Sequence, residues 1–198
     1  MSSIDWSLAG KTVWWIFIVV WVALRWRPNV RARRHRVKQS KRNLKEDISL
    51  AISFSGLFLV PVIWMSTRWF RPFNHDIGPF SIAVGTVLLI MSLILFHLTH
   101  KALGTMWSNS LDLRTGHKLI TTSIYTHLRH PMYTAFWVWA LAQPFLFANW
   151  ISGLSGIVGF GALFFLRVGT EEEMMKAEFG EEYRSYVKRT KKIIPWIY

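Results

Sequence analysis

The chain has 198 residues, 52% hydrophobic, 16% aromatic and 18% charged, with a mean hydropathy of +0.24 and a net charge of +13. So apolar a composition excludes an ordinary soluble domain and points to an integral membrane protein. The basic excess lies beside apolar runs and in no nucleic-acid motif, so topology explains it and nucleic acid is not expected as a partner.

In chain order, four uncharged stretches set the architecture: Thr12 to Leu24, Ile48 to Thr67, Ile77 to Phe96 and Pro131 to Leu166. A membrane-crossing helix needs about 20 residues. The second and third stretches fit one helix each. The last is long enough for a tight helical hairpin turning near Asn149, Trp150 and Ser152-Gly153. The first spans if extended to Leu8 and Trp26, with Lys11 and Arg25 snorkelling to the interfaces. A cleaved leader is disfavoured, because Asp5 precedes this segment and Arg25-Trp26-Arg27 stands where small cleavage-site residues belong. The expected fold class is therefore all-α, an integral membrane protein with about five transmembrane helices and a cytoplasmic helical tail.

Of the 24 Lys and Arg residues, ten fall in 25–45, four in 101–130 and seven in 167–198. The positive-inside rule then puts the N-terminus outside and the C-terminus in the cytoplasm, as an odd number of spans requires. It also brings 101–130 and 167–198 to one face, where they are able to build a common site. The basic stretch from Arg25 is read as a topology determinant that touches anionic membrane lipids. In the tail, Thr170 followed by Glu173 has the pattern of a capping box, and Gly180 is expected to end the helix that it opens.

Pro131 suits the first position of a helix, which leaves His130 at the helix mouth. Free N–H groups and the positive end of the helix dipole converge there, and with Arg129 alongside the place attracts a carboxylate or phosphate. The plain alternative is that Arg129 and His130 anchor to headgroups. Tyr133, one turn on, faces the same side as His130. His117, Tyr125 and His127 lie close in sequence, and the two tyrosines suit a flat ring as well as an interfacial belt. Arg167 ends the last apolar stretch four residues before Glu171. It reads either as a snorkelling stop or as a guanidinium for a substrate carboxylate, with the glutamate receiving an ammonium or ribose hydroxyls. His97/His100 and His127/His130 are His-x-x-His pairs, but seven histidines without an adjacent pair fall short of a di-iron set, so no metal is expected. Cysteine is absent, which excludes a thiol nucleophile and a lipid on the chain's own cysteine, and neither a dinucleotide fingerprint nor a P-loop occurs.

The pieces "LGTMWS" (103–108), "GHKLITTSIY" (116–125), "RHPMY" (129–133), "RVGTEEE" and "FGEEYRSYVKRT" with Pro195 beyond carry a resemblance. From about Leu103 to Pro195 the chain resembles the isoprenylcysteine carboxyl methyltransferase family and its small prokaryotic relatives, membrane enzymes that use S-adenosylmethionine without a Rossmann fold. The resemblance implies a cofactor site of His117, Lys118, Leu119, Ile120, Tyr125, His130, Pro131, Met132, Tyr133 and Glu171, with Arg167 facing the acceptor. Where the isoprenylcysteine enzymes have a further cofactor-contacting glutamine, this chain has Ser110. The resemblance also implies a division into membrane helices (1–102) and a methyltransferase region (103–198). The expected reaction is transfer of a methyl group to the carboxylate of a lipophilic, prenylcysteine-like acceptor, in the cell membrane if the source is prokaryotic. A phospholipid or amine methyltransferase, an NADPH-dependent membrane reductase and a non-enzymatic scaffold stand as the alternatives.

Overall fold

The computed structural model describes residues 5–32, 37–40, 44–104, 112–114 and 118–195. A bilayer offers no partner to a free backbone N–H or C=O, so each apolar run satisfies its own backbone as a helix. The helices are α1 (Trp6–Ala32), α2 (Leu44–Phe54), a π-helical turn (Ser55–Leu59) continuing into α3 (Val60–Ser66), α4 (Pro79–Leu103), α5 (Pro131–Leu146) and α6 (Trp150–Arg189). Among the described residues, four helical segments are long and apolar enough to cross a membrane: Trp6–Trp26, Leu44–Ser66, Pro79–Leu103 and Trp150–Arg189. The chain is a multi-pass membrane protein of all-α architecture. A fifth apolar helix, α5, has 16 residues, shorter than the other four, and runs back across the bundle between α4 and α6 to the turn at Asn149. One addition was not expected: a small antiparallel ribbon pairs β1 (Val37–Ser40) with β2 (Asp112–Arg114).

The bundle alternates direction, so α1 and α4 end where α2 and α5 begin; this is its basic end. Aromatic side chains fill the interior. Phe17 and Trp21 of α1 lie 4.9 and 5.2 Å, centroid to centroid, from Trp139 of α5, and Phe96 of α4 lies 4.8 Å from Phe136. Rings in such tilted and edge-on contacts supply packing that a lipid-solvated helix cannot obtain from the hydrophobic effect alone. Arg25 does not snorkel outward as its position suggests; its guanidinium lies over Trp21, 4.7 Å from the ring centroid.

The π-helical turn has a local cause. Pro61 lacks the N–H that would bond Leu57 O in an α-helix or Gly56 O in a π-turn. Two polar side chains from the hairpin replace it, Gln143 Nε2 donating to Leu57 O at 2.9 Å and Ser155 Oγ donating to Gly56 O at 2.7 Å. The backbones approach closely at this crossing: a Cβ on Gly56 would stand 2.2 Å from Ser155 O, and one on Gly159 would stand 2.7 Å from Ile52 O.

At the opposite end the α5–α6 turn falls where the sequence places it. Asn149 caps α6 by accepting from Ser152 N at 3.0 Å, and its Nδ2 donates to Phe70 O and Asn74 Oδ1, both at 2.7 Å. The tail differs from expectation at Thr170, which opens no new helix: α6 runs unbroken through it, because Gly169 and its neighbours keep helical geometry. At 1.5 Å per residue, the part of α6 before Gly180 runs about 45 Å, longer than the hydrocarbon thickness of about 30 Å, so the part beyond Leu166 extends past the apolar slab. Gly180 (φ 51°, ψ −122°) breaks the helix direction as expected, in a conformation that favours glycine.

Candidate functional site

The end of α6 and the residues that follow it pack onto the segment that leads into α5. Arg129 N donates to Lys191 O at 2.7 Å, His130 N to Lys192 O at 3.0 Å, and Thr134 Oγ1 to Ile193 O at 2.8 Å. The buried Tyr186 hydroxyl donates to Tyr125 O at 2.7 Å. Arg129 belongs to this dock. Its Nε lies 3.2 Å from Glu172 Oε1, and its Nη1 donates to the carbonyls of Val187, at 3.3 Å, and of Thr190. These carbonyls lie at the C-terminal end of α6, where the helix leaves acceptors without intrahelical partners and favours a cation.

His130 caps α5 through its backbone, with Pro131 behind it and no side-chain cap on the first N–H groups. The imidazole is buried and stacks on Tyr133 at 5.4 Å. Its Nδ1 is 3.8 Å from Glu171 Oε1, and its Nε2 is 3.5 Å from Glu172 Oε1, long for a hydrogen bond. The Tyr133 hydroxyl donates to Glu171 Oε2 at 2.5 Å. Arg167 lies one helical turn before Glu171 on the same face of α6 and forms an ion pair with Glu46 of α2, Nη1 to Oε1 3.6 Å. The Arg167–Glu46 pair thus lies one turn along α6 from the Tyr133–Glu171–His130 group. Phe164 stands edge-on to Tyr133 at 5.6 Å and gives the group an apolar wall.

Beyond the apolar slab, Glu172 gathers Arg129, His130 and, at 3.5 Å, Lys192. Burial pushes its carboxyl up, but the contact and charge of His130, together with Arg129 and Lys192, outweigh burial and hold it down at about 2. Burial pushes the Tyr125 phenol well up, and the Glu171 charge adds to this, so the ring stays neutral.

His130, Pro131, Tyr133 and Glu171 thus come together around the mouth of α5, with Met132 half-buried beside them and Tyr125 within the field of Glu171. Leu119 and Ile120 are half-buried, and Lys118 is exposed. His127 is exposed, its carbonyl accepting from Lys191 N at 3.2 Å. His117 and Ser110 lie outside the described residues. Two members escaped the sequence. Glu172 is the middle of three consecutive glutamates, and no spacing rule selects it. Glu46 opens the second apolar run, where its only signal is a carboxylate at the edge of a span.

The donors and acceptors suit a ligand that carries both signs of charge beside an apolar partner. Arg167 offers a planar fork to a carboxylate, Glu171 accepts hydroxyls or an ammonium, and the α5 mouth presents N–H groups. The sequence model of the isoprenylcysteine carboxyl methyltransferase (ICMT) family matches residues 83–177, which contain Arg167, Glu171 and the whole helix mouth. Over these residues, a little under half of its length, the chain is similar to that family. A protein-S-isoprenylcysteine O-methyltransferase of Schizosaccharomyces pombe is 37% identical over 81 residues, covering 41% of this chain and 34% of the relative. A protein-S-isoprenylcysteine O-methyltransferase B of Arabidopsis thaliana is 28% identical over 115 residues (57% and 58%), and the Dictyostelium discoideum enzyme 28% over 152 residues (73% and 62%). The chain thus spans between about a third and three fifths of the length of these curated ICMT relatives.

Proposed function

We propose that the protein is an S-adenosylmethionine-dependent methyltransferase that esterifies the carboxylate of a lipophilic, prenylcysteine-type acceptor. The observation that carries this reading is the gathering of Tyr133, Glu171 and His130 at the mouth of α5, with Arg167 one helical turn before Glu171 on α6, at the edge of the apolar slab, where a cofactor from water and an acceptor from lipid are able to meet. The residues fit the cofactor. His130 and the first N–H groups of α5 suit the carboxylate of its methionine part, Glu171 suits its ammonium or ribose hydroxyls, and Tyr125, Tyr133, Met132 and Leu119 to Ile120 offer ring and apolar surface. When bound, S-adenosylmethionine supplies a methyl group on a positively charged sulfur.

The remaining work belongs to the chain. An acceptor carboxylate is already ionised at neutral pH, so no general base is needed and the site must align it and exclude water. Arg167 holds the carboxylate, and the buried Phe164, edge-on to Tyr133, helps to exclude water. In this reading residues 103–198 form the cofactor region and 1–102 the membrane frame, with the N-terminus outside and the C-terminus in the cytoplasm, where the cofactor is found. The placement of basic residues supports that orientation.

The test uses detergent-purified protein. Calorimetry is expected to show binding of S-adenosylhomocysteine and not of NADPH; NADPH alone would indicate a reductase, and neither would indicate a scaffold. Radiolabelled methyl is expected to pass to N-acetyl-S-farnesylcysteine as a base-labile ester, and Arg167→Ala is expected to lose this transfer by about a hundredfold or more. Label in lipid extract alone, or full activity of Arg167→Ala, overturns the assignment.

A further inference from the structure

Arg167 reaches the edge of the apolar slab with a partner from the other half of the chain. The Arg167 and Glu46 side chains are 11% and 3% exposed. Glu46 stands in the first turn of α2, outside residues 83–177 and before the methyltransferase region. A guanidinium stays protonated at any physiological pH, so at this depth it requires an anion, and its long side chain requires something that fixes its rotamer. A carboxylate on a rigid helix meets both needs. α2 is held against α6 by the close approach at Gly56 and Gly159 and by the Ser155 hydrogen bond, so the Glu46 position is set by packing and not by a loop. The N-terminal end of α2 favours an acidic side chain in its first turn. A guanidinium also carries five N–H donors in one plane, enough for one carboxylate to hold an edge while a second is gripped by another.

We infer that Glu46 is the positioning residue for Arg167, fixing the guanidinium in the orientation that aligns the acceptor carboxylate. This rests on the methyl-transfer reading above. The N-terminal helices therefore contribute to the reaction, and α2 is part of the site. Because Glu46 also offsets the charge of Arg167, its removal makes the position more positive, which draws an anionic acceptor more strongly while orienting it less well.

The experiment measures methyl transfer to N-acetyl-S-farnesylcysteine by wild type, Glu46→Gln, Glu46→Asp, Arg167→Lys and Glu46→Gln/Arg167→Lys, with S-adenosylhomocysteine calorimetry counting folded sites in each. For Glu46→Gln, kcat per folded site is expected to fall about ten- to hundredfold, with KM for the acceptor unchanged or lower. Glu46→Asp, which keeps the charge, is expected to recover part of the loss, and Glu46→Gln is expected to add little once Arg167 is lysine. A wild-type kcat and KM in Glu46→Gln, or an equal further loss in the Arg167→Lys background, overturns the inference and leaves the functional reading standing. Should Glu46→Gln not fold, Glu46→Asp decides: full wild-type kcat and KM with the carboxylate drawn back by a methylene is the overturning result. Wild-type protein that binds S-adenosylhomocysteine but never methylates this acceptor overturns the functional reading together with the inference.

Discussion

At the scale of single residues, the hydrogen bond between two side chains at the helix mouth is the most informative. The Tyr133 hydroxyl donates to Glu171 at 2.5 Å, and the ring stacks on His130. A hydrogen bond to a carboxylate is worth about 1.5–3 kcal/mol, more than one between neutral groups. Tyr133→Phe keeps the ring and removes only the hydroxyl. The Glu171 carboxylate is then free to turn from its present direction, and S-adenosylhomocysteine affinity is expected to fall about tenfold by calorimetry. Unchanged affinity would mean that Glu171 does not act on the cofactor. The sequence pointed to both residues through the Arg-His-Pro opening and the arginine-to-glutamate spacing. It left the neighbouring Arg129 open between ligand contact and headgroup anchor, and the structure gives a third role, a clamp on the end of α6. An arginine followed by histidine reads the same whether its fork meets a ligand or backbone carbonyls sixty residues away.

At the scale of elements, apolar length made the helices legible, because in a bilayer the backbone requirement leaves a run of about 20 apolar residues little other choice. The joint between α2 and α3 was not legible. Pro61 announces a lost hydrogen bond, but nothing local says that Gln143 and Ser155 will replace it from another hairpin. Ser155→Ala is expected to lower stability in detergent by about 1 kcal/mol, the usual size of a side-chain hydrogen bond between membrane helices. In a Pro61→Ala background, where the backbone regains an N–H, the same substitution is expected to cost less. Thermal unfolding of the four proteins of this cycle measures the difference. Equal costs in both backgrounds would show that the serine does not compensate for the proline. The misplaced helix start at Thr170 has a related origin: a capping-box pattern is a local preference, and a helix already propagating through Leu166 to Gly169 adds one bond per residue without a new nucleus.

At the scale of the whole molecule, the site depends on contacts between distant parts of the chain. Glu46 meets Arg167, and the tail beyond the Gly180 kink closes on the segment before α5. Charge counting brought 101–130 and 167–198 to one face, yet it gave no register for that closure, since register is set by backbone pairs such as Arg129 N to Lys191 O. Glu172 stands at the centre of the dock, with His130, Arg129 and Lys192 around it, and its carboxyl is held at about 2 against an ordinary value of 4.5. A carboxyl depressed in the folded state binds its proton more readily in the unfolded state. Its stabilising contribution is therefore complete above about 4.5 and is lost as the pH falls from there towards 2. Other carboxyls titrate in the same range, so the comparison that isolates Glu172 is wild type against Glu172→Gln. Followed by tryptophan fluorescence in detergent, the melting temperature of wild type is expected to exceed that of the variant at pH 7, and the gap is expected to close as the pH is lowered through 4 towards 3. A gap that stays constant over this window would mean that the carboxylate charge does not hold the tail, leaving the backbone pairs and the Tyr186 hydroxyl to close the site alone.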